Sequence, residues 1–336
     1  MSFRDVAGHR RVIDLLAGAV GRHTLPPALL FSGPDGVGKR LTALALAQVL
    51  NCQRPVTLAG DHRDACGECP SCRRIARGTH PDVVVIEPED GTIAIGTVRE
   101  EVIGKSGYRP FEGQRRVFII DDADSMNENA QDALLKTLEE PPAFSVLVLV
   151  SAQPDALLPT VRSRCYRLRF GRIGEEEVAR VLRERHGMAE ADARAASALS
   201  DGSVGRALAV ESGRLVEARD AATRILRAVS SGRLPQRLQG GKDFVAGTRA
   251  GAADRGTVSD RLRALSSILR DLELLATRAD GALVANADLR GELEAILPAF
   301  DSLRVLRAFS AVDRASVALE RNASPRIVAD WLAVEL

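Results

Sequence analysis

The sequence predicts an α/β module built on a parallel sheet, followed by purely helical domains, and three observations carry that prediction. Apolar runs of strand length alternate with helical patterns from residue 27 to residue 170, an order that gives a parallel sheet with its ligand crevice at the strand C-terminal ends. A glycine-rich stretch, Phe31-Ser-Gly-Pro-Asp-Gly-Val-Gly-Lys-Arg40, stands between the first strand and the helix after it. From Ile173 to Leu336 the apolar periodicity stays helical. A chain of 336 residues is too long for one compact core, so two or three domains are expected. Boundaries near 171 and 212 divide it into 1–171, 172–212 and 213–336.

In order along the chain, Phe3 to Thr24 reads as an amphipathic helix around Val12, Ile13, Leu15 and Leu16, entered through the short segment Phe3 to Gly8. Pro27 to Phe31 is a buried strand and Leu41 to Leu50 a helix. Asp82 to Glu87 is a second strand, and a helix follows over about Val98 to Gly107. Arg115 to Asp122 is a third strand ending in paired carboxylates. Asn127 to Glu140 is a helix stopped by Pro141-Pro142. Phe144 to Val150 and Tyr166 to Phe170 complete the strands. The helical region has breaks at Gly187 and at Asp201-Gly-Ser203, loops at Gly240 to Asp243 and at Gly247 to Gly256, and a last helix beginning at Pro325.

Strand, glycine loop and helix in that order form the setting in which G-x-x-x-x-G-K-[ST] cradles phosphate. Gly33, Gly36 and Gly38 let backbone N–H groups turn inward, the helix N-terminus adds its dipole, and Lys39 reaches the β/γ-phosphates. A glycine turn in an ordinary α/β domain is the plain alternative. The last motif position breaks the rule: Arg40 stands where a hydroxyl should hold Mg²⁺, and a fixed cation does not ligate another. Asp121 and Asp122, delivered by the third strand, are the second feature of such a site: the first would hold Mg²⁺ through water and the second orient the attacking water.

Four cysteines, Cys52, Cys66, Cys69 and Cys72, follow the loop helix with spacing C-x13-C-x2-C-x2-C. Two overlapping C-x2-C turns let thiolates converge on one tetrahedral ion, with the remaining ligand arriving from the end of the preceding helix. Disulfides do not suit a reducing cytosol, and a redox C-x-x-C needs only a pair. Structural Zn²⁺ is therefore expected, as a closed site that staples a surface excursion. His62 and His80 nearby read as ordinary loop residues.

Bulk properties bound the rest. The chain is 45% hydrophobic and 27% charged, the composition of a globular protein. A net charge of +1 supplies no global field for nucleic acid, so DNA contact must come from a local patch or from partner subunits. A zinc-dependent nucleic-acid module would need a basic, aromatic-bearing face, yet Cys52 to Cys72 carries no aromatic residue. No run reaches the ~18 apolar residues of a membrane span. The N-terminal MSFRDVAGHR lacks the apolar core of a signal peptide, so a cytoplasmic location is expected.

These residues resemble the bacterial clamp-loader family of AAA+ proteins nearly end to end. Phe3 to His9 is similar to the family's N-terminal box and Leu25 to Pro34 to the approach to its P-loop. The cysteines resemble its inserted zinc module. Ala133-Leu-Leu-Lys-Thr-Leu-Glu-Glu-Pro-Pro142 is the most specific string, and it resembles the helix after the second acidic motif. Arg162-Ser-Arg164-Cys165 is similar to the Ser-Arg-Cys motif, Gly202 to Leu208 to the sensor-2 segment, and Arg321 to Arg326 to the final collar helix.

The resemblance implies an AAA+ P-loop module with a zinc-binding insertion, a small helical lid and an all-α collar. It implies a heteropentamer with gamma/tau-type and delta-type subunits that opens the sliding clamp and places it on primed DNA. On that pattern Arg164 is an arginine finger acting in trans, worth about 10³–10⁵ in rate, and Arg206 is the sensor-2 arginine. Cys165 is then a packed thiol. Three positions depart from the hydrolysing pattern: Arg40, Asp122 in place of Glu, and Ser151-Ala-Gln in place of the sensor-1 Thr/Asn. Together they imply a member that does not hydrolyse ATP, although intact Lys39 and glycines leave binding of ATP or ADP open. A hydrolysing gamma-type subunit or another AAA+ motor is the alternative.

Overall fold

The computed structural model describes residues 2–57, 61–89, 91–209, 214–231, 233–247, 252–277, 284, 286, 289–320 and 323–336. The chain divides into two compact units, Met1–Val181 with Gly202–Gly205, and Leu182–Asp201 with Arg206–Leu336.

The first unit holds a five-stranded sheet formed by β1 (Ala28–Ser32), β4 (Val83–Ile86), β5 (Arg116–Ile120), β6 (Ser145–Ser151) and β7 (Tyr166–Arg169). Their order is β4-β5-β6-β1-β7 and every pairing is parallel. Parallel strands need both faces covered, and the side chains divide accordingly. Leu29, Phe31, Val117, Ile119, Val146 and Val148 face a core shared with α1 (Arg10–Gly21) and α2 (Lys39–Asn51). Ala28, Leu30, Phe118, Ile120, Leu147 and Leu149 face a second core. That core includes residues of α6 (Glu128–Glu139) and of the helical run formed by α4 (Ile95–Thr97), a π-helical segment Val98–Ile103 and α5 (Gly104–Ser106).

Each expected strand is present. The expected first helix is shorter: left-handed backbone at Gly8 (φ 64°) and His9 (φ 50°) ends the entry segment, and α1 begins at Arg10. Asn127 caps α6 by accepting the Ala130 N–H at 2.9 Å, the side-chain cap typical of such a residue. Sequence periodicity gave no sign of a short antiparallel pair, β2 (Val56–Thr57) and β3 (Arg63–Asp64), or of α3 (Pro70–Ala76) beside the cysteines. These elements are too short to carry a period. The turn α7 (Pro159–Arg162) precedes β7, and the division between units falls inside α8 (Glu175–His186).

The second unit is helical: α9 (Glu190–Leu199), α10 (Val204–Ala209, whose first residues belong to the first unit), α11 (Arg214–Ser230), α12 (Leu234–Phe244), α13 (Ala252–Ala276), α14 (Arg290–Ile296), α15 (Ser302–Glu320) and α16 (Pro325–Glu335). Its core joins Ile225, Phe244, Leu265, Phe300, Val312 and Leu332 among others. The breaks at Gly187 and Asp201 to Ser203 are where they were expected.

The loop expected at Gly240 to Asp243 is not there; those residues lie within α12. A Cβ at Gly240 would come within 2.6 Å of Ala228 Cβ, and one at Gly241 within 3.0 Å of the Ala329 carbonyl and Ala333. The glycines mark close helix approach, not chain reversal. Of the expected loop at Gly247 to Gly256, Ala252 onward is already α13, and residues 248–251 lie outside the described residues, as do Arg321 and Asn322. Among the described residues no helix is long and apolar enough to cross a membrane.

Candidate nucleotide site and cysteine cluster

The loop after β1 is shaped by contacts that only glycine permits. A Cβ at Gly33 (φ 152°) would lie 2.1 Å from the Phe170 carbonyl oxygen, and the Gly33 N–H donates to Ser151 O at 3.2 Å. Gly36 (φ 71°) and Gly38 (φ 106°) hold left-handed backbone. The Gly36 carbonyl accepts the Gly205 N–H at 3.0 Å, and the Val37 carbonyl lies 2.8 Å from His9 Nε2. A carbonyl only accepts, so His9 carries its proton on Nε2. Its ring meets Phe170 edge-on at 4.9 Å, and burial pushes its pKa down against that hydrogen bond.

Lys39 opens α2 and is buried. Its Nζ donates to the carbonyls of Gly33 and Pro34 at 2.7 Å each and lies 3.6 Å from Asp35. Burial lowers its pKa, and Asp35 works the other way. Beside the loop is a cavity of about 300 Å³ lined by Gly8, His9, Arg10, Ile173 and Glu177, among others. Glu177 accepts the Gly8 N–H there at 3.3 Å. His9 belongs both to this cavity and to the loop, a role the sequence did not single out.

The acidic edge lies at the ends of β4 and β5. Arg40 NH1 donates to Asp121 Oδ2 at 3.1 Å, and Arg40 NH2 pairs with Glu87. Burial pushes Asp121 up, with Arg40 pulling the other way. Asp122, at φ 46°, is pushed up by burial and then by its acidic neighbours Asp121, Asp35 and Asp124. Asp124 accepts the Ala152 N–H at 3.1 Å and so ties the ends of β5 and β6. Ser151 is fully buried and its hydroxyl has no hydrogen-bond partner. A catalytic Mg²⁺ does not fit these residues: the hydroxyl position holds a guanidinium, and that guanidinium already occupies the first carboxylate.

The structure thus brings together Gly33, Gly36, Gly38, Lys39, Arg40, Asp121, Asp122 and Ser151 along the strand C-terminal ends. Arg164 is not among them. On the turn between α7 and β7, it bonds Glu139 through Nε at 2.9 Å and again through NH2, and it donates to the Thr160 carbonyl at 3.0 Å. Glu139 lies within the most specific string of the sequence, yet periodicity gave no hint that it grips Arg164. Arg206 belongs to the second unit, 3.9 Å from Asp201. Cys165 is a packed thiol in the second face's core, with its pKa pushed up to about 12 by burial.

The ligand atoms of Cys52, Cys66, Cys69 and Cys72 all lie within 4.8 Å of one another, with the Cys52 and Cys66 sulfurs 3.6 Å apart. Sulfurs about 2.3 Å from a tetrahedral zinc stand roughly 3.8 Å apart, so the cluster fits that ion. Backbone N–H groups of Cys66, Cys69 and Cys72 donate to the sulfurs of Cys52, Cys66 and Cys69 at 3.3, 3.3 and 3.4 Å. Burial opposes ionisation of Cys66, but the N–H groups of Glu68 and Cys69 outweigh it and bring the thiol down to about 6. Thiolates are the form that binds metal. His80 is a buried structural node and not a plain loop residue. It takes the Asp82 N–H on Nδ1 at 3.1 Å and meets Ser71 Oγ at 3.0 Å, while Ser71 donates to the Asn51 carbonyl at 2.8 Å.

A parallel sheet carrying a glycine phosphate loop on its interior strand β1 and paired acids two strands away defines a P-loop module. Residues 8–174 match the family model described as DNA polymerase III, delta subunit. The DNA polymerase III subunit delta' of Pseudomonas aeruginosa is 46% identical over 147 residues, 43% of this chain and 43% of its own. The tau/gamma subunit of Haemophilus influenzae is 34% identical over 181 residues, 54% of this chain and 25% of its own. Among solved structures, a DNA polymerase III gamma subunit-related protein of Thermotoga maritima gives a TM-score of 0.46 at 17% identity, covering 96% of this chain and 98% of its own. Over the matched region, residues 8–174, the chain resembles bacterial clamp-loader subunits and is delta-prime-like. The matched part spans less than half the length of these curated relatives.

Proposed function

We propose that this chain is a non-hydrolysing, delta-prime-type subunit of a DNA polymerase III clamp loader. It works in the cytoplasm within a heteropentamer of gamma/tau-type and delta-type subunits that places the sliding clamp on primed DNA. Residues 1–171 form its nucleotide-binding-like domain, 172–212 its lid, which carries Arg206, and 213–336 its collar. Zn²⁺ on Cys52, Cys66, Cys69 and Cys72 staples the insertion after α2. The carrying observation is the Arg40–Asp121–Glu87 ion pair: with a guanidinium on the metal-binding carboxylate, Mg²⁺-assisted hydrolysis loses its metal site.

Chemistry then belongs to the neighbouring subunit, and Arg164 is this chain's contribution to it. The residue is partly exposed, and its polar partners are Glu139, Thr160 and Ser163, none of them in the glycine loop. A guanidinium so placed can stabilise charge on a phosphoryl group presented by another chain.

Retention of Lys39 and the loop glycines favours a second reading, a hydrolysing gamma-type subunit. A turnover assay on the purified chain decides between them. No ATP hydrolysis above background is expected; Mg²⁺-dependent hydrolysis abolished by Lys39→Ala would select the second reading.

A further inference from the structure

A second cavity of the first unit lies at the other edge of the sheet from the glycine loop. It encloses about 290 Å³, and Pro27, Arg115 and Ser145 among its lining place it at the starts of β1, β5 and β6. The glycine loop and the paired acids stand at the strand C-terminal ends, and none of their residues lines this cavity. Its frame is fixed by the fold. Asn51 Oδ1 takes the amides of Gln114 and Arg115 at 2.9 Å each. The Pro27 carbonyl accepts the Leu147 N–H at 2.8 Å, and the Phe144 carbonyl accepts the Arg116 N–H at 2.8 Å. A site braced in this way is formed before a ligand arrives.

The lining combines two chemistries. Leu25, Val49, Pro142 and Val146 contribute apolar wall, whereas Arg63, Arg115 and His23 contribute hydrogen-bond donors, and no Asp or Glu is present. Arg115 uses one N–H on the Ala143 carbonyl, and among the described residues no carboxylate pairs with it or with Arg63. Elsewhere in the first unit Arg40, Arg74, Arg116 and Arg164 are each paired with an acid. Two guanidiniums lining an apolar hollow without an internal counter-charge select an anion that also carries apolar surface.

Nucleic acid does not meet that description. Apart from His23 the lining offers no aromatic ring for a base to stack on, and a phosphate backbone leaves the apolar wall uncovered. An internal acidic residue of a peptide carries its carboxylate on one residue and its apolar group on another. The volume suits about one large residue, at the lower end of small-molecule sites. A chain terminus meets both demands at once, because its α-carboxylate and its side chain leave the same carbon.

We propose that this cavity captures the C-terminal residue of another polypeptide, with an apolar side chain against the wall and the α-carboxylate on Arg63 and Arg115.

The test is fluorescence anisotropy of the full chain with an N-terminally labelled Gly-Ser-Gly-Ser-Leu-Phe peptide, compared as free acid and as C-terminal amide. The free acid should bind, and the amide about tenfold more weakly, through loss of a charge-assisted hydrogen bond. That comparison is made on the unaltered chain and depends on no variant. A free acid ending in Ser should bind more weakly than the one ending in Phe. Arg63→Gln and Arg115→Gln should each lower affinity for the free acid about tenfold while leaving affinity for the amide unaltered, a split that misfolding would not give. No binding of the free acid, equal affinity for acid and amide, or affinity for the acid unaltered in both variants overturns the proposal. So does 3-phenylpropionate binding as tightly as the peptide, which makes the site one for a small acid, or a labelled oligothymidylate binding more tightly than the peptide.

Discussion

Asp82 is a buried side chain whose removal should cost the first unit heavily. Its carboxylate is fully buried. It accepts the amides of Phe111, Glu112 and Gly113 at 2.6, 2.9 and 2.8 Å, and Arg116 NH2 at 3.2 Å. Asn51 Oδ1 takes the next amides, Gln114 and Arg115, at 2.9 Å each, so five consecutive N–H groups rest on two side chains. Burial alone would raise the Asp82 pKa; the donors outweigh it and hold the carboxyl below its ordinary value.

Asp82→Ala strands three amides and leaves the Arg116 guanidinium without its carboxylate, held only by the Lys105 carbonyl. An unpaired buried polar group costs about 1–3 kcal/mol and a broken buried ion pair about 3–5 kcal/mol. The loop can relax toward water, since Phe111 is 82% exposed, so the expected loss is the low end, about 3 kcal/mol. The only tryptophan, Trp331, lies in the second unit and is blind to this change. Urea unfolding followed by far-ultraviolet circular dichroism, with hydrogen exchange at Phe111 to Gly113, reads it. An acid whose folded pKa is lowered stabilises the fold above its unfolded value of about 4, and that contribution fades as pH falls through the folded value. The variant should therefore lose stability at neutral pH and show a flatter acid limb than the parent. A loss under about 0.5 kcal/mol, within the range of an ordinary surface change, together with unaltered exchange at those amides, would refute the reasoning.

Arg164→Ala removes an exposed pair with Glu139 and should cost less than about 1 kcal/mol of stability. It should nevertheless depress the DNA-stimulated ATPase of the assembled loader at the neighbouring site by up to about 10³-fold; loader turnover equal to the parent's counts against the finger. Replacing Cys66 and Cys69 by Ser should abolish a stoichiometric zinc measured by atomic absorption and lower the melting temperature. An unaltered chain that is metal-free and equally stable contradicts the staple. In the second unit, Gly240→Ala should destabilise by about 1–3 kcal/mol through overpacking against Ala228. Gly256→Ala has open space at its Cβ and should stabilise α13 by about 0.5–1 kcal/mol. Both effects can be followed by Trp331 fluorescence.

The sheet could be read from the sequence because its strands are buried on both faces and appear as unbroken apolar runs such as Leu147 to Val150. The acids at the end of β5 and the cysteine spacing were legible for a similar reason, each being a short local pattern. Long-range polar pairing was not. Nothing in sequence ties Arg40 to Glu87, Arg164 to Glu139, or Asp82 to the amides of Phe111 to Gly113, because these pairs are set by which strand ends and turns the fold brings side by side. The helical region misled in one place, Gly240-Gly241, where a glycine pair permits helix contact at a spot that reads locally as a turn.

The same close approaches change what the retained loop glycines mean. Gly33 cannot be replaced without striking the Phe170 carbonyl. Gly36 hands its carbonyl to Gly205, whose own missing Cβ would sit 3.0 Å from Gly36 Cα. Through these contacts and the His9–Val37 bond, the loop joins the N-terminal segment, β7 and the start of α10 whether or not a nucleotide is present. Packing is therefore sufficient reason to keep Gly33, and Gly36 is kept by its left-handed backbone (φ 71°), whether or not the chain hydrolyses a nucleotide. Packing does not account for Gly38 in the same way, since nothing lies within 4 Å of its Cβ direction. There the requirement is backbone alone, a φ of 106° that turns the chain into the first residue of α2. The next two residues, Lys39 and Arg40, are the part of the motif whose side-chain chemistry bears on a ligand. Their substitution, and not that of the glycines, separates nucleotide binding from folding.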